Sequence, residues 1–178
     1  AVEVLHDAGP PDTRELTLAL GVEMLLAARR ESNDASARRL LEQALANGAG
    51  AERLAKMIAA HGGDARVVED PARLPKTRQR VPLPAARSGF ITALDARALG
   101  ELAVALGAGR SKADQAVDPR VGIELCVRRG EAVERGQTLG FLHLRRRSEA
   151  PSFAAAASRA FRIEATRPRP ARRVLAAL

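Results

Sequence analysis

Ala93 to Leu144, ALDARALGELAVALGAGRSKADQAVDPRVGIELCVRRGEAVERGQTLGFLHL, is the stretch whose reading decides the fold. Asp95 stands where a side-chain oxygen can accept the free N–H groups of a new helix, and Leu99, Leu102, Ala103 and Leu106 then recur at helical spacing. Gly107, Ala108 and Gly109 end that helix. A loop from Arg110 to Pro119 follows, and Val121 to Val127 and Thr138 to Leu144 read as short β segments. Between them Val127, Val133 and Leu139 alternate with Gly130 and Gly136, so apolar side chains close a small interior while glycines supply the positive φ of tight turns. A small barrel or sandwich is the expected β architecture, with Cys126 as a small buried hydrophobe among Ile123, Leu125 and Val127.

Working toward the N-terminus, Ser88 to Leu94 reads as a strand. Glu69 to Arg87, broken by Pro71, Pro75, Pro82 and Pro84, reads as a connection that becomes an edge strand. The domain boundary is placed in this connection, giving segments 1–75 and 76–178. Upstream, three helices are expected. The first opens at Pro10 and Pro11, with Asp12 and Glu15 as a capping box, and runs to about Arg30. Its Leu16, Leu18, Leu20, Val22, Met24, Leu25 and Leu26 cover most of its circumference, the pattern of a helix enclosed on several sides. The second starts near Asn33 or Asp34 and carries Ala37, Leu40, Leu41, Ala44 and Leu45 on one face. The third, from about Ala51 to His61, carries Leu54, Met57, Ile58 and His61, with Met57 and His61 read as packing residues. Beyond Leu144, Pro151 starts an Ala-rich helix bearing Phe153, Ala157 and Phe161, and the Arg/Pro tail from Arg167 ends in Val174 and Leu175 as a last strand or a loose end. The fold class is therefore α+β.

Composition narrows the function. With 178 residues and 46% hydrophobic content the chain can bury a core, but without Trp or Tyr and with four Phe that core rests on Leu, Val, Ile and Ala. One cysteine excludes an internal disulfide, and no run is long and apolar enough to span a bilayer. A cytoplasmic location is the expectation. The net charge of +8 is uneven: residues 1–75 hold 9 Lys/Arg against 12 Asp/Glu, and the remainder 20 against 9. The basic residues are scattered and no aromatic residues are interleaved for base stacking, which argues against nucleic acid as a partner.

Catalytic raw material is scarce. His6, His61 and His143 lie in different elements, no G-x-S-x-G elbow is present, and no Cys/His/carboxylate cluster marks a metal site. Gly107 to Lys112 sets Gly-rich backbone beside two cations, yet its glycines follow a helix where a phosphate cradle would have them precede one. It reads as a helix C-cap leading into a surface loop, with Arg110, Ser111 and Lys112 as a candidate closure loop over a neighbouring site. The Val127 to Leu139 pattern also occurs in lipoyl and biotinyl carrier domains, but Lys56, Lys76 and Lys112 are the only lysines and none stands at the hairpin tip.

Four blocks in order, Gly9 to Leu26, Leu41 to Asp64, Leu94 to Arg110 and Val117 to Leu144, resemble the thymidine and pyrimidine-nucleoside phosphorylases. The most specific are the DAR-x-LG helix with its LGAGR exit and the D-x-x-VGI segment. The resemblance implies that 1–75 are helices from the end of an α/β domain and that 76–178 form the β-rich C-terminal domain, hammerhead-like with attached helices. It implies phosphorolysis of a pyrimidine nucleoside by a homodimeric enzyme, with inorganic phosphate as co-substrate and no cofactor. The family's K-H-S-T-G-G phosphate motif and its pyrimidine-gripping residues have no counterpart in these 178 residues. No catalytic, substrate-binding or metal-binding residue is therefore assigned, and the chain alone is expected to be inactive and to self-associate. The other reading is a non-catalytic basic module that binds RNA or an acidic partner.

Overall fold

A computed structural model describes residues 1–170, which form two compact units, 1–74 and 75–170. Val174 and Leu175, at the end of the Arg/Pro tail, lie outside the described residues.

The first unit is helical: α1 (Val2–Leu5), α2 (Pro11–Ala27), α3 (Asp34–Ala46) and α4 (Ala49–Ala60), then two 3₁₀ turns, Ala65–Val68 and Pro71–Arg73. Asn33 caps α3 by accepting from the Ser36 N–H. The capping box expected at Asp12 and Glu15 does not form. Pro10 is the N-cap, Asp12 lies inside the helix and accepts from the Thr13 N–H, and Glu15 instead meets Arg38 of α3 at 2.6 Å. Proline supplies the helical φ without a side-chain cap, which leaves Glu15 available to tie two helices. Gly21 lets α2 and α3 approach closely, since a Cβ there would lie 2.7 Å from Leu41 Cδ1. Only Leu18 and Val22 of α2 are buried, while Leu20 and Met24 stand 58% and 71% exposed. On α4 the covered line runs through Ala51, Leu54, Ala55 and Ile58, so Met57 and His61 point away from it and are exposed rather than packed.

The second unit begins with β1 (Gln79–Pro84), β2 (Gly89–Leu94) and α5 (Ala96–Leu106), and continues with β3 (Gly122–Leu125), β4 (Ala132–Val133), β5 (Thr138–Leu144), α6 (Ala150–Arg159) and β6 (Phe161–Glu164). Its strands make two antiparallel sheets, β1-β5-β3 and β4-β2-β6, with no closed barrel. β1 is an edge strand, which accommodates Pro82 and Pro84 because their missing N–H groups interrupt no interior ladder. Asp95 caps α5 by accepting from the Ala98 N–H.

Side chains from both sheets and both helices meet in one core: Leu83, Leu142 and Leu144 from the first sheet, Ile91, Val133 and Ile163 from the second, and Leu106 and Ala157 from the helices. Two expectations are corrected here. Phe161 does not continue α6; it opens β6 opposite Leu94, buried where β2 offers an unpaired edge. Cys126 is exposed, because it follows the end of β3, where Glu124, Leu125 and Cys126 all lie open before Val127 turns inward.

Candidate functional site

α5 ends at Gly107 in the left-handed region, φ +99°, and the chain returns to this point eleven residues later, where the Asp118 N–H donates to the Gly107 carbonyl at 2.9 Å. The intervening loop is cross-braced. The Ser111 N–H and hydroxyl both donate to Gln115 Oε1, at 2.9 and 2.7 Å, and the Gln115 N–H donates to the Lys112 carbonyl at 3.2 Å. Arg110, Ser111 and Lys112, the residues singled out from sequence, thus sit together on the exposed part of a loop whose base is clamped.

The clamp centres on Asp118, whose side chain is only 6% exposed. Its Oδ1 accepts from the Arg120 backbone N–H at 3.0 Å and from Arg120 Nε at 2.9 Å. Its Oδ2 accepts from Arg120 Nη2 at 3.1 Å and Arg145 Nε at 2.8 Å. The Arg120 side chain, then its backbone N–H, then Arg145 hold the Asp118 carboxyl far below the usual carboxylate range, outweighing the burial that opposes ionisation. A carboxylate enclosed this far is tolerated because charge-assisted hydrogen bonds occupy both oxygens. Gly107 is part of the arrangement: a Cβ there would lie 2.8 Å from Arg145 Nη2, so glycine provides both the helix-ending φ and the room for the guanidinium.

This clasp joins three places, the end of α5, the approach to β3 and the exit from β5. It also forms one wall of a cavity of about 360 Å³ lined by Lys76, Thr77, Arg78, Asp118, Arg120, Val121 and Arg145. Thr77 ties another part of the lining to β5, donating to the Leu144 carbonyl at 2.6 Å while accepting from the Gln79 N–H at 3.1 Å. None of Asp118, Arg120, Arg145, Lys76 and Arg78 was assigned a role from sequence. A D-x-R triplet after a glycine cap was a legible hint of the Asp118–Arg120 turn; Arg145 within the run Arg145–Arg147 carried no such signal.

A second polar group lies on the outer face of the β1-β5-β3 sheet. The Arg80 guanidinium sits 3.2 Å from the centre of the Phe141 ring and pairs with Glu124, which also meets His143 Nε2 at 3.0 Å. His143 first, and Arg80 second, lower the Glu124 pKa. Register explains the group, since His143 lies opposite both Arg80 and Gly122, and Phe141 opposite Glu124. It holds no nucleophile. Among the described residues no three His, Cys, Asp or Glu side chains are grouped to hold a metal, and no helix is long and apolar enough to cross a membrane.

A family model described as the pyrimidine nucleoside phosphorylase C-terminal domain matches residues 90–164. A thymidine phosphorylase of Burkholderia cenocepacia (strain HI2424) is 43% identical over 137 residues, covering 76% of this chain and 31% of that protein. Pyrimidine-nucleoside phosphorylases of Geobacillus stearothermophilus and Bacillus subtilis (strain 168) are 37% and 34% identical over 139 and 146 residues, 78% and 82% of this chain and 32% and 34% of theirs. Each matched length exceeds either compact unit, so the similarity runs through both. The chain spans about a third of the length of these relatives.

Proposed function

Since the chain belongs to the thymidine and pyrimidine-nucleoside phosphorylase family, as a C-terminal portion of it, we propose that it is the scaffolding part of a longer enzyme that cleaves a pyrimidine nucleoside with inorganic phosphate. The similarity that crosses both units carries this reading, because a free-standing module would need to match only the β-rich one.

In the reaction proposed for the longer enzyme, a phosphate oxygen attacks the anomeric carbon, the glycosidic bond breaks, and its electron pair leaves with the base. Charge builds on a sugar with oxocarbenium character and on the departing pyrimidine, so fixed cations and donors near both are what accelerate it. Residues 1–75 serve as the last helices of the α/β domain and 76–178 as the C-terminal domain, with the gripping groups supplied by segments outside these residues. The exposed apolar side of α2 supports this division, because Leu16, Leu20 and Met24 are what a helix covered by more protein would carry. The longer enzyme is a cytoplasmic homodimer on the same reading.

Arg110, Ser111 and Lys112 act as a closure loop over the substrates, supported by two exposed cations on a loop clamped at its base. The first test is the purified chain with thymidine and phosphate. No thymine is released by the chain alone, whereas the same residues joined to a family catalytic portion restore turnover; release by the chain alone rejects the scaffolding role. In that complete enzyme, R110Q with K112Q lowers kcat or raises KM, and unchanged values of both remove the closure loop. Steeply salt-dependent RNA binding by the chain, in place of any complementation, would favour a basic binding module.

A further inference from the structure

We propose that the cavity walled by residues 76–78 and the Asp118 clasp is a binding site for a compact tetrahedral anion, a free phosphate or the phosphate of a small ester. Four cations, Lys76, Arg78, Arg120 and Arg145, line it together with one carboxylate, that of Asp118. Both Asp118 oxygens are already engaged by Arg120 and Arg145, so the carboxylate orients two guanidinium groups and leaves the cavity with a positive excess. Lys76 and Arg78 make no side-chain hydrogen bond or ion pair with the described residues, and Arg145 uses only Nε, which leaves both of its terminal nitrogens as donors.

Two of the four donors, Arg120 and Arg145, are held before any ligand arrives, and the segment carrying the other two is anchored. Arg120 is gripped through its backbone and side chain together, Arg145 is laid against Gly107, and the Thr77 hydroxyl ties the segment bearing Lys76 and Arg78 to β5. Four like charges against one carboxylate repel one another, and a dianion with several acceptor oxygens relieves that repulsion while accepting from several donors at once. A cavity of this size holds a phosphate group together with bridging waters or the remainder of a small ester. Nucleic acid is the poorer fit, because the chain has no Trp or Tyr and the Phe141 face is already covered by Arg80. The site is independent of the proposed catalytic role, since the family's phosphate motif is absent from these residues.

The test is thermal unfolding of the chain at constant ionic strength, with chloride replaced stepwise by inorganic phosphate or, separately, by ribose 1-phosphate. Saturable stabilisation is expected, and the anion that saturates at lower concentration identifies free phosphate or ester as the ligand. K76Q with R78Q abolishes the saturation, whereas R135Q, which removes an exposed cation outside the cavity, leaves it intact. Circular dichroism establishes that both variants are folded, and 31P line broadening of inorganic phosphate by the chain gives a readout independent of melting. Stabilisation no greater than in chloride, or equal weakening by R135Q, overturns the site. Retained saturation in the folded K76Q/R78Q variant overturns it as well.

Discussion

The helical unit and the β-rich unit are built from the same Leu- and Ala-dominated alphabet, yet they close to different degrees. In residues 75–170 two sheets and two helices surround a common interior, so Leu83, Ile91, Leu142 and Leu144 are at most 1% exposed. In residues 1–74 helices meet in pairs, and a pair covers only one stripe of each cylinder. Leu18 is fully covered, but Leu16, Leu20, Met24, Leu40, Met57 and Leu74 remain open to solvent. Strands alternate their side chains strictly between two faces, so a short apolar pattern suffices to enclose a core; a helix that is apolar around most of its surface needs several neighbours.

The largest expected effect follows from that contrast. L142A removes a side chain surrounded on every side and costs about 4 kcal/mol, while L18A, in the thinner helical unit where neighbours can close in, costs about 2 kcal/mol. Urea titrations followed by circular dichroism, the appropriate probe for a chain without Trp or Tyr, measure both. Equal losses would erase the distinction between the units.

Next comes acid sensitivity. The folded pKa of Asp118 is depressed, so its clasp contributes stability above the unfolded carboxylate pKa of about 4, and loses it as pH falls through that value toward the lower folded one. D118N leaves Arg120 and Arg145 without their shared carboxylate, lowers the melting temperature by several degrees at neutral pH, and flattens the acid limb of the melting profile. Asp64 in the helical unit is also lowered, to about 2, chiefly by the Arg66 side chain, but that pair is solvent-facing. Raising salt should weaken the Asp64 contribution more than the Asp118 one. A D118N profile parallel to that of the unaltered chain would show that the clasp is no more than a surface pair.

The smallest thermodynamic effect sharpens the comparison from the other side. L20Q with M24Q changes an exposed stripe of α2, so unfolding free energy should move by no more than about 0.5 kcal/mol. Self-association, followed by light scattering, should fall distinctly. If it does not, the open side of α2 is not what brings copies together.

What could be read in advance follows the range of each interaction. Asp95 as a cap and a helix start near Asn33 or Asp34 were legible, because Asn33 and Asp95 each bond an N–H three residues away, within one turn. Asp12 and Glu15 had the same spacing and failed, because Pro10 takes the N-cap position and leaves Glu15 to pair with Arg38, 23 residues away. Cys126 sits in an apolar run, but its exposure is decided by where β3 ends against β5 and not by its neighbours in sequence. Phe161 continued a helical spacing until β2 offered it a partner. The exposed loop Arg110 to Lys112 was found through its glycines, and the clasp at its base was not.

The caps, the glycine-ended α5, the apolar alternation of β5 and the order of blocks that marks the family are properties of the sequence itself, because each depends on residues within a turn or a strand of one another. The Asp118–Arg120 half of the clasp is local, but its closure by Arg145 and the cationic cavity belong to the tertiary structure. Arg145 reaches Asp118 across 27 residues, and only the antiparallel pairing of β1 with β5 brings the segment carrying Lys76 and Arg78 to the same place. Electrostatic partnership depends on distance in space, which a linear pattern of charges does not encode.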